Sequence, residues 1–390
     1  MRQKRKNKKI KKGNIFQNII DRFISDHDFT VLILVLGLTL FGICMVFSAG
    51  YYYTTASGSN PLYLLLKQGF NALTGFLLLF IFSNIDYHAY SKPGIGNLFL
   101  FGSLILLILT FLIGANINGA TRWIELGPIN ITPSELSKLA MIIFTSVYLA
   151  KDPKRAKQLS SIIFLCVIMI IHAILIIKQP NLSTAILICA IMIGILFVAG
   201  LKWRYILFSA FSLGSGIIYI LTFKKDSHWY QRLTNFTNPF ADSQGAGYQV
   251  AQSLIALGNG GFRGRGIGQS IAKTLYLPEP QNDFIMAIIG EELGFIGIFI
   301  LLIIYLYLIW KCMVIASTSS DKLGLFLTSG VAIMLGLQVI LNLVVVTSSG
   351  PATGVTLPFV SYGGTSMWVF MTSIGIVLSV SKHNRGSLNI

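Results

Sequence analysis

Residues 29–49 read FTVLILVLGLTLFGICMVFSA, an apolar run without one charged side chain. Runs of this kind constrain the fold more than any other feature. A bilayer core offers no water to pair with backbone N–H and C=O groups, so a segment that crosses its ~30 Å satisfies them internally, as a helix of about 20 residues. Comparable runs recur at about residues 63–83, 96–114, 133–150, 160–177, 182–200, 204–222, 284–310, 323–346 and 357–380. The expected fold is all-α: a polytopic membrane protein with about ten transmembrane helices. Only 11% of the residues are charged, against about 25% in soluble domains, which excludes a soluble globular fold.

The basic residues orient the spans. The chain opens MRQKRKNKKIKK, KDPKRAK (Lys151–Lys157) follows the fourth run, Lys202 and Arg204 the sixth, Lys311 and Lys322 the eighth, and Lys382, His383 and Arg385 the tenth. With ten spans all of these share one side, and both termini are cytoplasmic. The net charge of +16 then answers to anionic lipid headgroups and not to nucleic acid. Ile15, Phe16, Ile19, Ile20, Phe23 and Ile24 recur at helical spacing and predict a short amphipathic helix on that surface. The expected division is a basic tail over 1–28, a membrane domain over 29–382 and a short cytoplasmic tail over 383–390. The first run is too long for a signal peptide's apolar region and is expected to be retained. Cys44, Cys166, Cys189 and Cys312 have neither disulfide-framework nor metal-ligand spacing, and the five histidines stand isolated, His172 as an interior residue.

Residues 223–283 form a long external loop between the seventh and eighth spans. Loops of that length are commonly functional, and Tyr248, Val250, Leu254, Ile255 and Leu257 predict a short interfacial helix in it. Four stretches carry chemistry. In GATRWIELGPINITPSELSKLA, Thr132 and Pro133 start a helix, with Glu135 placed to complete a capping box. Lys138 lies one turn on, on the same face, and a charged pair there is costly unless the two are buried together or face a water-filled cavity. Arg122 is either an interfacial anchor or a phosphate contact. In KQPNLSTA, Lys178 either snorkels or faces an anionic ligand. In GNGGFRGRGIGQSIAK, six glycines with Arg263, Arg265 and Lys273 read as a flexible basic ribbon, either one whose free backbone N–H groups and guanidinium forks suit phosphate or diphosphate oxygens or a mobile loop with solvated charge. In LYLPEPQNDFIMAIIGEELGFIG, Pro278 and Pro280 stiffen the approach to Asp283 at a helix start. Such a position makes Asp283 either a plain N-cap or, because a helix start lowers a carboxylate's pKa, an acid kept ionised and able to act as a base. Glu291 and Glu292 either lie within the membrane facing a cavity or precede a span that begins near Leu293. In TSSGPATGVTLPFVSYGGTS, Ser361, Tyr362, Gly363 and Gly364 either admit a ligand close to the backbone or pack helices.

These motifs, with QPNLSTA and GYQVAQSLIALGNGGFRGRGIGQS, resemble in order and spacing those of the SEDS family, the FtsW/RodA/SpoVE group, over about residues 30–382. YLPEPQ and TLPFVSYGG look more like FtsW and SpoVE than RodA. The resemblance implies a peptidoglycan glycosyltransferase that polymerises lipid II at the outer face of the bacterial cytoplasmic membrane, releases undecaprenyl pyrophosphate and works with a class B penicillin-binding protein and other division or elongation proteins. It implies that Asp283 is the essential aspartate and that Glu135 and Lys138 are the family's charged pair. Where the family usually has an acid and a glycine in the QPDLGT motif, this chain has Asn181 and Ser183, and Asn282 stands where threonine often precedes the aspartate. On that footing Asp283 is expected to act as general base. Arg122, Lys138, Arg263, Arg265 and Lys273 are then expected to meet the departing diphosphate, a role that a divalent cation, Mg or Mn, can share. Two other functions fit a polytopic chain with intramembrane charges: a flippase for a lipid-linked precursor, or a non-catalytic division scaffold.

Overall fold

The structure, a computed structural model, describes residues 27–117, 120–127, 129–205, 207, 222, 236, 238–240, 247–351 and 354–388. The basic tail, the amphipathic segment at 15–24, nearly all of the expected seventh span and most of the loop over 223–246 lie outside these residues. Helices fill the other expected spans: α1 (Phe29–Ala56), α2 (Tyr63–Asn84), α3 (Ile95–Ile113), α4 (Pro133–Lys151), α5 (Leu159–Lys178) and α6 (Leu182–Val198), then α8 (Ile285–Ser317), α9 (Lys322–Val346) and α10 (Gly364–Leu388). The helix predicted in the external loop is α7 (Tyr248–Gly260). Seven of these helices are long and apolar enough to cross a membrane, and the protein is a multi-pass membrane protein.

Their arrangement follows polarity. Of the apolar helices, α3 and α5 are peripheral, and α2 turns Leu66, Leu73 and Leu77 outward, each at least 60% exposed, as a lipid-facing stripe must be. The helices that carry Ser, Thr and charge are central. Of the membrane-crossing stretch of α10, 89% is buried, against 28% for α3 and for α5. α4 buries nearly its whole length, with Ser134, Ser137, Lys138, Thr145 and Ser146 inside. Local sequence sets the ends: Pro133 opens α4, Asp28 and Asp321 cap α1 and α9, and the Asn181 side chain accepts from Thr184 N to cap α6.

Three features depart from expectation. A three-stranded antiparallel sheet, β1 (Ala115–Ile117), β2 (Ala120–Leu126) and β3 (Ile129–Ile131), joins α3 to α4, with Ile124 opposite Ile131 and Glu125 opposite Asn130. The last span begins at Gly364, because residues 357–363 are an irregular segment buried inside the bundle. Its polar groups find partners within the protein, as they must without water: Ser361 Oγ accepts from Leu357 N at 2.8 Å, Pro358 O from Tyr305 OH at 2.5 Å and Ser361 O from Gln68 Nε2 at 3.2 Å. At its far end α10 continues to Leu388 and includes His383.

The third departure is a break in α8 at Gly294, whose φ of 68° and ψ of −168° only glycine adopts readily. Residues 285–293 form a buried half-helix. Residues 295–317 then run about 34 Å at 1.5 Å per residue, enough to span. This agrees with a span that begins near Leu293. A break leaves carbonyls and N–H groups unpaired, and the glycine ribbon pairs them. Arg265 N and Gly266 N donate to the carbonyls of Glu291 and Glu292, each at 2.9 Å, and Phe295 N donates to Gly261 O at 2.9 Å. A Cβ on Gly264 would stand 2.3 Å from Glu292 O, so the glycines serve backbone-to-backbone packing. The ribbon is therefore neither free nor rich in unused N–H donors, contrary to expectation.

Candidate active site

Asp283 sits where the half-helix begins. Its backbone is fixed by Asn342, whose Nδ2 donates to Asp283 O and to Val355 O, both at 2.8 Å. One amide of α9 thus holds the aspartate segment against the segment leading to α10. Gly354 lies beside the carboxyl: a Cβ there would be 3.2 Å from Asp283 Oδ2 and 3.9 Å from Arg122 Nη1. The absent side chain leaves room for an acid and a guanidinium to face the same point.

The electrostatics reverse the sequence expectation for Asp283. The side chain does not cap the half-helix, whose N-cap is Phe284 without a side-chain hydrogen bond. Part of the residue is accessible, yet its carboxyl is largely enclosed by protein. Burial raises its pKa, the negative charge of Glu279 raises it further, Arg122 opposes, and Glu135 adds to the rise, leaving it at about 7. The acid thus titrates near neutrality.

Arg122 extends from β2. Its Nε donates to Gln179 O at 3.1 Å and its Nη2 to Pro180 O, which ties the sheet to the turn between α5 and α6. In that turn Asn181, the replacement for the usual acid, donates from Nδ2 to Ser134 Oγ on α4 at 3.3 Å. Its other contact is the α6 cap, so an amide performs a packing task here. Glu135 and Lys138 form the expected pair, Nζ to Oε2 2.7 Å, with Lys138 1% and Glu135 15% exposed. The predicted capping box is absent: Thr132 makes no side-chain cap, and its N–H donates instead to Thr365 Oγ1 at 3.1 Å. Glu135 is consequently left to Lys138.

The 361–364 segment closes another side. Tyr362 N donates to Gln281 O at 2.9 Å, two residues before Asp283. Gly364 lies against Asn71 of α2, and Gly363 beside Ser366 and Thr356. The structure thus brings together Asp283, Arg122, Glu135, Lys138 and the Ser361–Gly364 segment.

It does not place the ribbon cations with them as free charges. Arg263 and Arg265 are exposed on the ribbon, and Lys178 is exposed at the end of α5. Lys273 is 3% exposed and committed: its Nζ donates to Glu292 Oε1 at 2.7 Å and to Ser48 Oγ at 2.9 Å, and Ser48 Oγ donates to the same Glu292 oxygen at 2.7 Å. Lys273 is thereby a poor candidate for the diphosphate. Glu291, fully buried, accepts from Ser270 Oγ, Ile271 N and Ala272 N at 2.5, 3.1 and 3.0 Å. The two glutamates that precede the span anchor residues 270–273. His172 is a satisfied interior residue, between Ser103 Oγ and Ile168 O.

Residues not singled out from sequence also shape the site: Asn342, Gly354, Thr365, Gln281 and Glu279. Only Glu279, four positions before Asp283, was within reach of sequence reasoning; the others act across separations that spacing does not reveal.

A family model for FtsW, RodA and SpoVE, described as "Cell cycle protein", matches residues 29–386. A relative from Geobacter sp. (strain M18), named "Probable peptidoglycan glycosyltransferase FtsW", is 37% identical over 94% of this chain and 100% of its own length. "Stage V sporulation protein E" of Bacillus subtilis (strain 168) is 35% identical, over 92% of this chain and 98% of its own. Among solved structures, a chain described under "Structural coordination of polymerization and crosslinking by a peptidoglycan synthase complex" has a TM-score of 0.76 at 26% identity, covering 92% of this chain and 98% of that one. The rod shape determining protein RodA of Thermus thermophilus has a TM-score of 0.67 at 26% identity, covering 92% and 97%. With a match over nearly its whole length, the chain belongs to the FtsW/RodA/SpoVE family.

Proposed function

We propose that this protein is a peptidoglycan glycosyltransferase that polymerises lipid II into glycan strands at the outer face of the cytoplasmic membrane, in cell division or a related cell-wall process. The observation that carries the mechanism is an acid with a pKa of about 7 sharing one point of approach, beside Gly354, with the guanidinium of Arg122. Asp283 in its ionised form takes the proton of an acceptor sugar hydroxyl as that oxygen bonds to the donor's anomeric carbon. The bond from that carbon to undecaprenyl pyrophosphate breaks, and the electron pair leaves on the diphosphate. A base poised near the working pH is worth about 10²–10⁴ in rate. Arg122 is the first cation to meet the departing charge. The buried Glu135–Lys138 pair sets the field beneath it, and exposed Arg263, Arg265 and Lys178 attract the anionic substrate from further out. The Ser361–Gly364 segment supplies the facing wall.

A divalent cation suits this place. Asp283, with the negative charge of Glu279 close enough to raise its pKa, offers hard oxygen donors of the kind Mg²⁺ or Mn²⁺ prefers. When bound, such an ion would supply further positive charge to the leaving group. A class B penicillin-binding protein is the proposed partner, in line with the likeness to a complex described by polymerization and crosslinking. Ten spans with cytoplasmic termini put Asp283 on the outer side, where lipid-linked sugars sit above their tails.

The test is a ladder assay. The chain is purified with its penicillin-binding partner and given fluorescent lipid II. Glycan ladders from the unmodified protein, with none from Asp283→Asn or Asp283→Ala, support the assignment. Equal ladders from all three overturn the base. No ladder from the unmodified complex overturns the polymerase in favour of a carrier or a scaffold.

A further inference from the structure

At the end of the bundle remote from Asp283, three chain segments meet. α10 starts beside Asn71 in the site and reaches His383 nineteen residues later, about 28 Å along the axis. There His383 comes up against the short helical turn Tyr87–Ser91 that follows α2, and Asp321, which caps α9, faces His88 of that turn. The histidines stand isolated in sequence, but the fold brings two of them together. Asp86 Oδ1 lies 2.8 Å from His88 Nδ1 and 3.4 Å from His383 Nε2.

The outward nitrogens are decisive. His88 Nε2 faces Asp321 Oδ2 at 3.2 Å, and His383 Nδ1 faces the carbonyl of Ser379 at 2.9 Å. Each imidazole therefore has an acceptor for its N–H on the side away from Asp86. With the outer protons held by those acceptors, the neutral rings turn His88 Nδ1 and His383 Nε2 as lone-pair atoms toward Asp86 Oδ1. Three such atoms repel unless a metal cation lies between them or the rings take up protons and donate to the carboxylate. A neutral imidazole whose other nitrogen donates to a carboxylate or a backbone carbonyl is the usual setting of a metal-ligating histidine. Ligand atoms around a tetrahedral ion with bonds of 2.0–2.1 Å stand about 3.3 Å apart, and the two measured separations bracket that figure.

The scaffold is held independently of the cluster. Tyr87 is fully buried, its OH donates to Asp321 Oδ1 at 3.1 Å, its N–H donates to Ser379 Oγ at 3.2 Å, and that hydroxyl donates to Ile85 O at 2.6 Å. Asp86 and His88 are themselves accessible, at 55% and 47% side-chain exposure, so an ion can enter from solvent and complete its shell with water.

We propose that Asp86, His88 and His383 bind one divalent transition-metal ion of the zinc class, with Asp321 and the Ser379 carbonyl orienting the two imidazoles, and that the ion clips the end of α10 to the α2–α3 connection. The site is separate from the proposed glycosyl transfer and does not depend on it.

The test uses the full chain in detergent, purified without a polyhistidine tag, stripped with chelator and titrated with Zn²⁺ or Co²⁺. The expected result is one ion per chain, a tetrahedral cobalt spectrum and a rise in thermal midpoint on adding Zn²⁺. His88→Gln and His383→Gln each weaken binding at least tenfold. Asp321→Asn weakens it less, because it acts through His88. If a histidine variant fails to fold, Asp86→Asn gives the same test. No stoichiometric uptake, or uptake unchanged in the double His88→Gln/His383→Gln variant, overturns the proposal. So does a thermal midpoint that moves with pH but not with Zn²⁺, which would identify a latch closed by protons.

Discussion

Replacing Lys273 by methionine separates a structural cation from a substrate-binding one. Lys273 and Glu292 lie 2.7 Å apart at 3% and 0% side-chain exposure. At an effective dielectric of about 20 their attraction is about 6 kcal/mol, most of it offset by desolvation of the two charges. Removing Lys273 alone leaves Glu292 buried with Ser48 Oγ as its remaining side-chain donor, a situation that costs about 3–5 kcal/mol. The double variant Lys273→Met/Glu292→Gln removes both charges and keeps an acceptor for Ser48. It should recover at least about 1.5 kcal/mol as coupling between neighbours. Denaturation midpoints of the four proteins in detergent close the cycle, and lipid II polymerisation is measured on each folded sample. The single variant should be unstable and the double variant folded and active. A single variant within about 1 kcal/mol of the parent, or a double variant that is folded but inactive, would refute the structural role and return Lys273 to the diphosphate.

Gly264→Ala should unlace the ribbon, because its Cβ would meet Glu292 O at 2.3 Å and its φ is +79°. Limited proteolysis over residues 261–268 should rise sharply, and parent-like resistance would contradict the backbone packing described. At Glu135 and Lys138, either Glu135→Gln or Lys138→Met should reduce polymerisation more than the exchanged pair Glu135→Lys/Lys138→Glu, since a lone buried charge is worse than a swapped one. A single variant with unaltered activity would count against a coupled pair.

The helices were legible because ~20 apolar residues admit few alternatives, and Glu135 and Lys138 because three positions on a helix share a face. What sequence concealed was long-range pairing. Gly294 looks like any glycine in an apolar run until the ribbon from 261–266 is seen to fill its broken ladder. Lys273 reads as a free cation because its partner Ser48 lies 225 positions away. The sign of the shift at Asp283 is hidden for a related reason. The nearby helix start was visible in the sequence, whereas burial and the effect of Glu135 come from tertiary packing. The sheet is hidden because its strands are only three to seven residues long, too short for their alternation to stand out beside the flanking spans.

Asp283 must lose its proton to work. Its pKa is raised to about 7, chiefly by burial. Below that value the acid is protonated and cannot accept the sugar hydroxyl's proton, and above it the base form predominates. The direct measurement is the pH dependence of lipid II polymerisation by the purified complex. The rate should climb about tenfold per pH unit on the acid side, level off above an apparent pKa near 7, and shift that limb to lower pH in Glu279→Gln, which removes a charge that holds the proton on. A flat profile through neutrality, or the same acid limb in the residual activity of Asp283→Asn, would contradict it.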